Sequence, residues 1–269
     1  MTGVPIPLPS RYHLEFGAPM RFDGDPNDDD DVVARKVAQV KDTLQGMIDA
    51  GLKRRGNRIF PGACIGAEPQ DLKYNGAPTE VVLGDDNAIR ECVTINRATH
   101  EGEQTRLGNG NLLMAYSHLG HNCLLGDRIV IANGVAVAGH VVIGDRAIIG
   151  GVLGIHQFVH IGTMAMVGGM SRIDRDVPPY AIVEGHPGRL RGLNRVGIKR
   201  SGLADLDGSA QAKQLQQVWS VLYRSDAVLA EALQTVRAQQ LLPAAETLVS
   251  FLEASIGPGR RGPLPAGRS

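Results

Sequence analysis

An aliphatic residue recurs at every sixth position from Leu83 to Ile173. Fifteen of these sixteen positions carry Ile, Leu or Val, although the three residue types make up only 67 of the 269 residues, a quarter of the chain. A period of six matches neither the 3.6-residue period of a helix nor the two-residue period of a strand. The spacing therefore predicts a repeat architecture rather than a layered domain.

Glycine directly follows the aliphatic residue in half of these repeats. These glycines are Gly84, Gly108, Gly120, Gly126, Gly144, Gly150, Gly162 and Gly168. Because glycine adopts backbone angles that are closed to other residues, we expect it to form the corners of a coil. Three six-residue sides with three corners give an eighteen-residue triangular turn, so the period predicts a parallel β-helix with an aliphatic axis.

The period is interrupted twice without losing its phase. It fails at Asp71 and Ala77, within QDLKYNGAPT, and again at Glu101. We expect both interruptions to be loops that leave the coils. Loops on rigid scaffolds often carry binding groups.

The rest of the chain divides into segments without the repeat. We expect an atypical N-terminal segment, 1–56, with one amphipathic helix from Val32 to Leu52. The β-helix then spans 57–190, a helical domain spans 191–256, and a disordered tail of low apolar content spans 257–269. Apolar residues at helical spacing predict three helices in the third segment: Leu215, Val218, Trp219, Leu222 and Tyr223; Leu229, Leu233 and Val236; Leu248, Val249 and Leu252.

Composition excludes several classes of protein. The formal net charge is zero, which argues against a nucleic-acid binder held by a basic surface. The sequence contains no apolar stretch long enough to cross a bilayer and no secretory signal, so we expect a cytoplasmic protein without an integral membrane segment. Cys64, Cys92 and Cys123 form no CxxC pair, so we expect small core residues rather than disulfides or a zinc site.

Histidines cluster on the predicted wall of the coil. His118 and His121 lie three residues apart, and residues eighteen apart stack on adjacent turns, which brings His140 close to His121. Such a cluster suits a Zn²⁺ site or a general base, and isolated wall histidines are also common as plain surface groups. The spacing alone leaves these readings open.

Specific motifs then add a resemblance. QDLKYNGAPTEV, IRECVTINRAT, NLLMAYSHLGHNC, ANGVAVAGHVVIGD, GGVLGIHQF, VGGMSRIDRDVPPY and YRSD resemble the acyl-carrier-protein-dependent UDP-N-acetylglucosamine O-acyltransferases, over residues 57–256. The resemblance implies a left-handed coil with a C-terminal helical domain, assembled as a homotrimer with active sites between subunits. It implies transfer of a 3-hydroxyacyl group from acyl carrier protein to the 3-hydroxyl of UDP-N-acetylglucosamine, the first step of lipid A synthesis, without metal or cofactor.

The same resemblance assigns roles to individual residues. His121 matches the general base, and the N–H of Gly139 would stabilise the oxyanion. Gly169 matches a position that limits acyl-chain length. The substrate-binding positions are Asp71, Lys73, His118, His140, His156, Gln157, Asn194 and Arg200.

The chain departs from the family pattern at several positions. Asn122 replaces the Asp that usually follows the base, so we expect a working base with less support for its charge. Val196 and Ser201 replace a Glu and an Arg near the expected nucleotide site, and residues 1–56 resemble instead the C-terminal end of a glycerolipid-type acyltransferase. Two alternative functions stay open: a metal-dependent hydratase of the carbonic-anhydrase type on the same coils, and a non-catalytic trimeric scaffold.

Overall fold

The computed structural model describes residues 29–203 and 208–266, without the side chains of 44–55 and 208–209. The strands are β1 Arg58–Ile59, β2 Cys64–Ala67, β3 Glu80–Leu83, β4 Ala88–Ile89, β5 Thr94–Asn96, β6 Gln104–Leu107, β7 Leu112–Leu113, β8 His118–Leu119, β9 Leu124–Leu125, β10 Val130–Ile131, β11 Ala136–Val137, β12 Val142–Ile143, β13 Ile148–Ile149, β14 Gly154–Ile155, β15 His160–Ile161, β16 Met166–Val167, β17 Arg172–Ile173, β18 Ala181–Glu184 and β19 Arg189–Leu193. The helices are α1 Asp30–Arg55, α2 Arg195–Arg200, α3 Gly208–Arg224, α4 Leu229–Arg237 and α5 Pro243–Ser255.

The strands form three sheets that the chain visits in rotation. Face A contains β1, β4, β7, β10, β13, β16, β18 and β19; face B contains β2, β5, β8, β11, β14 and β17; face C contains β3, β6, β9, β12 and β15. From β1 to β18 neighbouring strands are parallel, and most pair residues eighteen positions apart, such as Ile131 with Ile149. The β-helix predicted from the six-residue period is confirmed.

The aliphatic repeat forms the axis of the coil. Ile131, Ile149 and Val167 stack along face A, and their side chains are fully buried. Burial of one such side chain contributes about 1.5 to 3 kcal/mol. A second inward row lies two residues before each aliphatic position and contains smaller side chains, including Thr105, Cys123 and Ala147. Each turn of the coil is therefore held by direct packing on the turns above and below it.

The prediction that the repeat glycines form the corners is wrong. Gly108 and Gly150 do not adopt left-handed angles; the residues three positions after the aliphatic one do, among them Asn122 with a φ of 61° and His140 with a φ of 59°. The glycines are needed for a different reason. A Cβ on Gly150 would lie 2.4 Å from the backbone nitrogen of Gly169, so the next turn passes too close for any side chain.

Replacing Gly150 with alanine is therefore expected to destabilise the coil. The clash is with backbone, which cannot move aside as a side chain can, so we expect a loss of about 2 kcal/mol and a decrease in Tm of about 6 °C. Thermal unfolding followed by circular dichroism measures this. Gly154→Ala is the matched control, because no atom lies within 4 Å of its Cβ position. Equal Tm values for the two variants would contradict the close-approach explanation.

The cysteines differ in environment. Cys123 is buried, and burial raises the pKa of its thiol to about 12. Cys92 is exposed at a corner with a φ of 55°, and Cys64 is half-buried. The prediction of a core position holds for Cys123 and is wrong for Cys92.

The N-terminal helix α1 begins close to the predicted residue Val32. Val33 and Val37 on it are each 47% exposed, and Ile59 on the first strand is 58% exposed. These described apolar groups therefore do not cover one another. The proline-rich part of the N-terminal segment falls in residues 1–28, outside the described residues, and its glycerolipid-acyltransferase resemblance stays a prediction.

Helices α3, α4 and α5 pack on each other through the predicted apolar stripes. Leu215, Leu248, Val249 and Leu252 are fully buried among them. Strand β19 runs antiparallel to β18 and crosses the predicted domain boundary at residue 190. In the described residues, no helix combines the length and apolar character that a bilayer crossing needs.

The prediction of a disordered tail is wrong for residues 257–266. The guanidinium of Arg260 donates to both carboxylate oxygens of Asp176, at 2.6 and 2.7 Å, and Leu264 is buried. Ser255 at the end of α5 also donates to Asp176. One buried carboxylate and one apolar side chain therefore order a segment whose composition is poor in apolar residues. Residues 267–269 lie outside the described residues.

Candidate active site

Both interruptions of the repeat emerge at the same corner of the coil. The loop 68–79 joins β2 to β3 and the loop 97–103 joins β5 to β6, so each passes from face B to face C. We call this edge the B–C corner; His121, His140 and Phe158 lie on it in three successive turns. The two interruptions are therefore loops that leave the coil, as predicted, and the structure adds that both meet the histidine cluster.

Arg97 fastens the first loop to the coil. Its guanidinium donates to the Gly66 carbonyl, the Glu68 carboxylate and the Tyr74 hydroxyl, and it lies over the Tyr74 ring. Asn96 donates to the Glu68 carbonyl at 2.7 Å. These contacts hold Asp71 beside the B–C corner.

His121 is buried, and its Nδ1 atom has two partners. Asn122 Oδ1 lies 2.9 Å from Nδ1 and Thr99 Oγ1 lies 3.0 Å from it. Thr99 Oγ1 already donates to Asp71 Oδ2, and an amide oxygen only accepts. Both groups therefore accept from an Nδ1–H, which leaves Nε2 as the unprotonated nitrogen of the neutral ring.

The Nε2 side of the ring faces the first loop and the next turn. Asp71 Oδ2 lies 3.8 Å from Nε2, too far for a hydrogen bond. A Cβ on Gly139 would lie 2.5 Å from Nε2, so a side chain at this position would displace the His121 ring. No hydrogen bond among the described residues uses the Gly139 N–H. Nε2 and this N–H therefore lie close together, and neither has a hydrogen-bond partner among the described residues.

Asp71 is held as a carboxylate. The backbone N–H of Lys73 donates to its Oδ1 atom at 3.0 Å, and this bond lowers the pKa of Asp71, with smaller contributions from His121 and Thr99. The side chain of Lys73 itself is exposed. The two substrate-binding residues predicted from QDLKY thus lie at the mouth of the histidine cluster.

His140 closes the cluster on the next turn. Its ring meets the His121 ring edge-on at 5.0 Å and stacks on Phe158 at 4.8 Å. Burial and the neighbouring His121 lower the pKa of His140, so this imidazole is neutral at neutral pH. The Nδ1 atom of His118 and the Oγ1 atom of Thr94 share a hydrogen bond of 2.7 Å. Burial lowers the pKa of His118 as well.

A shallow, mainly apolar groove of about 440 Å³ runs along face B beside these rings. His118 and Ala136 line one end, and Gly154, His156 and Arg172 line the other. The Nδ1 atom of His156 bonds the Gln157 carbonyl at 3.0 Å, which turns the rest of the ring outward. The groove joins the predicted residues His118 and His156 in one surface.

Three predicted residues lie elsewhere in the chain. Asn194 is buried and caps α2, with Oδ1 accepting from Gly197 and Nδ2 donating to the Met164 carbonyl, so its amide is used within the fold. Arg200 is exposed at the end of α2, and Gly169 lies where face A turns into face B. No contact among the described residues joins these three to His121, so their roles stay predictions.

The structure adds three residues that the motifs did not single out: Thr99, Glu103 and Phe158. Thr99 contacts His121, Phe158 stacks on His140, and Glu103 accepts from Asn122. The failed repeat position at Glu101 marks the loop that carries Glu103. No sequence signal indicates which of its side chains turns back to the coil.

The histidine cluster does not assemble a set of metal ligands within one chain. Among the described residues, no three His, Cys, Asp or Glu side chains lie close enough to hold one ion. His121 and His140 instead meet edge to face, and Nδ1 of His121 is directed at an amide and a hydroxyl.

The chain is similar to known proteins in sequence and in structure. The sequence model of the second domain of the UDP-N-acetylglucosamine O-acyltransferases matches residues 176–263. A Synechocystis protein named acyl-(acyl-carrier-protein)–UDP-N-acetylglucosamine O-acyltransferase is 56% identical over 211 residues, 78% of this chain and 75% of the relative. A protein of the same name from Rippkaea orientalis is 57% identical over 82% of this chain and 78% of its own length.

Solved structures give the same result. The UDP-N-acetylglucosamine acyltransferase of Bacteroides fragilis superposes with a TM-score of 0.71 at 36% identity, covering 79% of this chain and 80% of that one. The Francisella novicida enzyme superposes with a TM-score of 0.71 at 34% identity, covering 80% and 76%. The coil is the left-handed parallel β-helix of these neighbours, as the resemblance predicts. The chain therefore belongs to the family of acyl-(acyl-carrier-protein)–UDP-N-acetylglucosamine O-acyltransferases.

Proposed function

We propose that the chain transfers a 3-hydroxyacyl group from acyl carrier protein to the 3-hydroxyl of UDP-N-acetylglucosamine, the first step of lipid A synthesis. The names of its relatives contain this kind of donor and this acceptor. The observation that carries the mechanism is the state of His121: Nδ1 is held by Asn122 and Thr99, and Nε2 has no hydrogen-bond partner among the described residues, with Asp71 Oδ2 3.8 Å away.

His121 acts as the general base in this proposal. Nε2 takes the proton of the 3-hydroxyl as that oxygen attacks the thioester carbonyl carbon. The carbon–sulfur bond then breaks, the new ester forms on the sugar, and the proton passes to the departing thiolate of the carrier. One positioned imidazole contributes about 10² to 10⁴-fold to a rate of this kind.

The Gly139 N–H serves the oxyanion of the same step. The thioester oxygen gains negative charge when the carbonyl carbon becomes tetrahedral, and a backbone N–H directed at it contributes about 3 kcal/mol. The absence of an acceptor for this N–H among the described residues and its position beside the His121 ring support the role.

The remaining predicted residues divide between the two substrates. Asp71 lies beside Nε2, Lys73 follows it on the exposed side of the loop 68–79, and both suit the hydroxyls of the sugar. The apolar groove between His118 and His156 suits the thioester end of the acyl chain. Gln157, His140 and Arg200 take polar parts of the substrates, Asn194 acts by holding α2, and Gly169 leaves room for a long acyl chain.

A homotrimer in the cytoplasm completes the proposal. The corner between faces A and B presents a column of exposed apolar side chains, Tyr116, Val152 and Met170, whose burial against a second chain would be favourable. The relatives' names do not favour the hydratase of the carbonic-anhydrase type, nor the scaffold without catalysis.

The proposed function is tested with the purified full-length chain. UDP-N-acetylglucosamine is incubated with 3-hydroxyacyl carrier proteins of several chain lengths, and products are identified by mass spectrometry. We expect one acylated sugar nucleotide and, in a parallel assay with added Zn²⁺, no hydration of carbon dioxide. No transfer from any donor would contradict the proposal, and light scattering tests the trimer.

A further inference from the structure

We propose that Glu103 is a positioning residue that supports the charge of His121 through the Asn122 amide. The inference rests on the proposed function, because it concerns the base of that reaction. Asn122 directly follows the base, and its neutral amide cannot itself stabilise an imidazolium as a carboxylate does. Glu103 supplies the missing carboxylate from a different loop.

The hydrogen bonds form a continuous line. Asn122 Nδ2 donates to Glu103 Oε2 at 2.7 Å, and Asn122 Oδ1 lies 2.9 Å from Nδ1 of His121. Two contacts fix which end of the amide faces the imidazole: Glu103 accepts from Nδ2, because a carboxylate does not donate, and the Thr99 backbone N–H donates to Oδ1 at 3.2 Å. Together they direct the Asn122 oxygen, and not the nitrogen, at the Nδ1–H of the base.

Glu103 is itself fixed and ionised. Its Oε2 atom also accepts from the backbone N–H of His100 at 3.0 Å. The Asn122 amide is the main cause that lowers the pKa of Glu103, and the His100 N–H adds to it, so the carboxylate is charged at neutral pH. A charge that polarises the amide makes its oxygen a better acceptor for the proton on Nδ1.

The backbone at Asn122 is built for this contact. Its φ of 61° is in the left-handed region, which Asn and Asp tolerate better than other residues with a side chain. Its N–H donates to the Oγ1 atom of Thr105, two residues after Glu103, at 2.8 Å. The amide is thus held at both its backbone and its side chain.

Other charged or titratable groups also lie around the base and contribute to the electrostatic environment of His121. Asp71 lies on the Nε2 side, His140 lies on the next turn, and His100 and Lys73 belong to the two loops. Among the described residues, two carboxylates reach the Nδ1 side through a neutral group: Asp71 through the Thr99 hydroxyl and Glu103 through the Asn122 amide, and of the two only Glu103 does not also face Nε2. Its removal therefore changes the stability of the protonated ring without removing a group from the substrate side.

Glu103→Gln tests the charge without changing the shape. The Gln oxygen still accepts from Asn122 and His100, but it supplies no charge. We expect kcat to decrease about 10-fold with little change in the KM for UDP-N-acetylglucosamine, and the acidic limb of the rate–pH profile to move about one unit towards lower pH. The shift is downward because an anion near the ring favours its protonated form. Glu101→Gln, an exposed change on the same loop, is the matched control and should keep wild-type kinetics within about twofold.

A second variant distinguishes electrostatic support through the amide from structural damage to the loop. In Glu103→Gln/Asn122→Asp the carboxylate sits directly beside Nδ1 and the Gln amide can turn to donate to it, so we expect kcat within about threefold of wild type. In Asn122→Asp alone, two carboxylates would face each other across the 2.7 Å contact, so we expect no gain over wild type.

The outcomes distinguish a failure of the role of Glu103 from a failure of the proposed acyl transfer. A wild-type kcat and pH profile for Glu103→Gln, or a double variant no faster than the single one, would overturn the role of Glu103. A gain from Asn122→Asp that does not depend on residue 103 would also overturn it. A wild-type chain without acyl transfer would instead contradict the proposed function.

Discussion

Replacing His121 with alanine is expected to reduce kcat for acyl transfer by about 10² to 10⁴-fold while leaving the fold intact. The Nε2 atom of His121 has no hydrogen-bond partner among the described residues and lies 2.5 Å from the position that a Cβ on Gly139 would take. Its removal leaves the substrate hydroxyl without an acceptor for its proton. The measurement is kcat with saturating UDP-N-acetylglucosamine and acyl carrier protein.

The control for this variant is His186→Ala. His186 is exposed on the turn between β18 and β19 and takes part in neither the cluster nor the groove. We expect it to keep wild-type kcat, and we expect both variants to keep the circular dichroism spectrum and the oligomeric state. Transfer by His121→Ala at the rate of His186→Ala would remove His121 from the mechanism.

Replacing Gly139 with alanine is expected to reduce kcat by about 10² to 10³-fold. The new Cβ would lie 2.5 Å from both Cε1 and Nε2 of His121, so the ring must move away from the substrate and from the oxyanion donor. Because the clash is with a side chain and not with backbone, we expect the Tm to change by less than about 3 °C.

The combination of lost activity and retained stability is the diagnostic result for Gly139→Ala. Gly150→Ala differs, because its Cβ meets the backbone of the next turn, so the expected effect is a lower stability of the coil. A Gly139→Ala variant with wild-type kcat would show that the ring can move without consequence. That would contradict the assignment of both Gly139 and His121.

Most of the coil could be predicted from the sequence because every repeat has the same environment. Each inward position meets identical positions one turn above and below, so a single local rule specifies Ile131 and Ile149 alike. The corners could not be predicted in this way. Whether glycine is needed for its backbone angle or for the close approach of the next turn depends on distances such as that from Gly150 to Gly169.

The site residues, too, divide into those that local sequence features predict and those that depend on long-range contacts. The motifs and the failed repeat positions indicate His121 and the two loops, because these are local features of the chain. The contact of Glu103 with Asn122 and that of Arg260 with Asp176 join segments 19 and 84 residues apart. Such contacts depend on the folded path of a loop or tail, and neither periodicity nor composition describes that path.

The most direct test of the account is the position of the ester in the product. The purified chain is incubated with UDP-N-acetylglucosamine and a 3-hydroxyacyl carrier protein, and the product is analysed by nuclear magnetic resonance. The account predicts an ester on the sugar 3-oxygen, formed by the wild-type chain and almost lost in His121→Ala. An ester at another oxygen, or the same ester formed at an undiminished rate without His121, would contradict it.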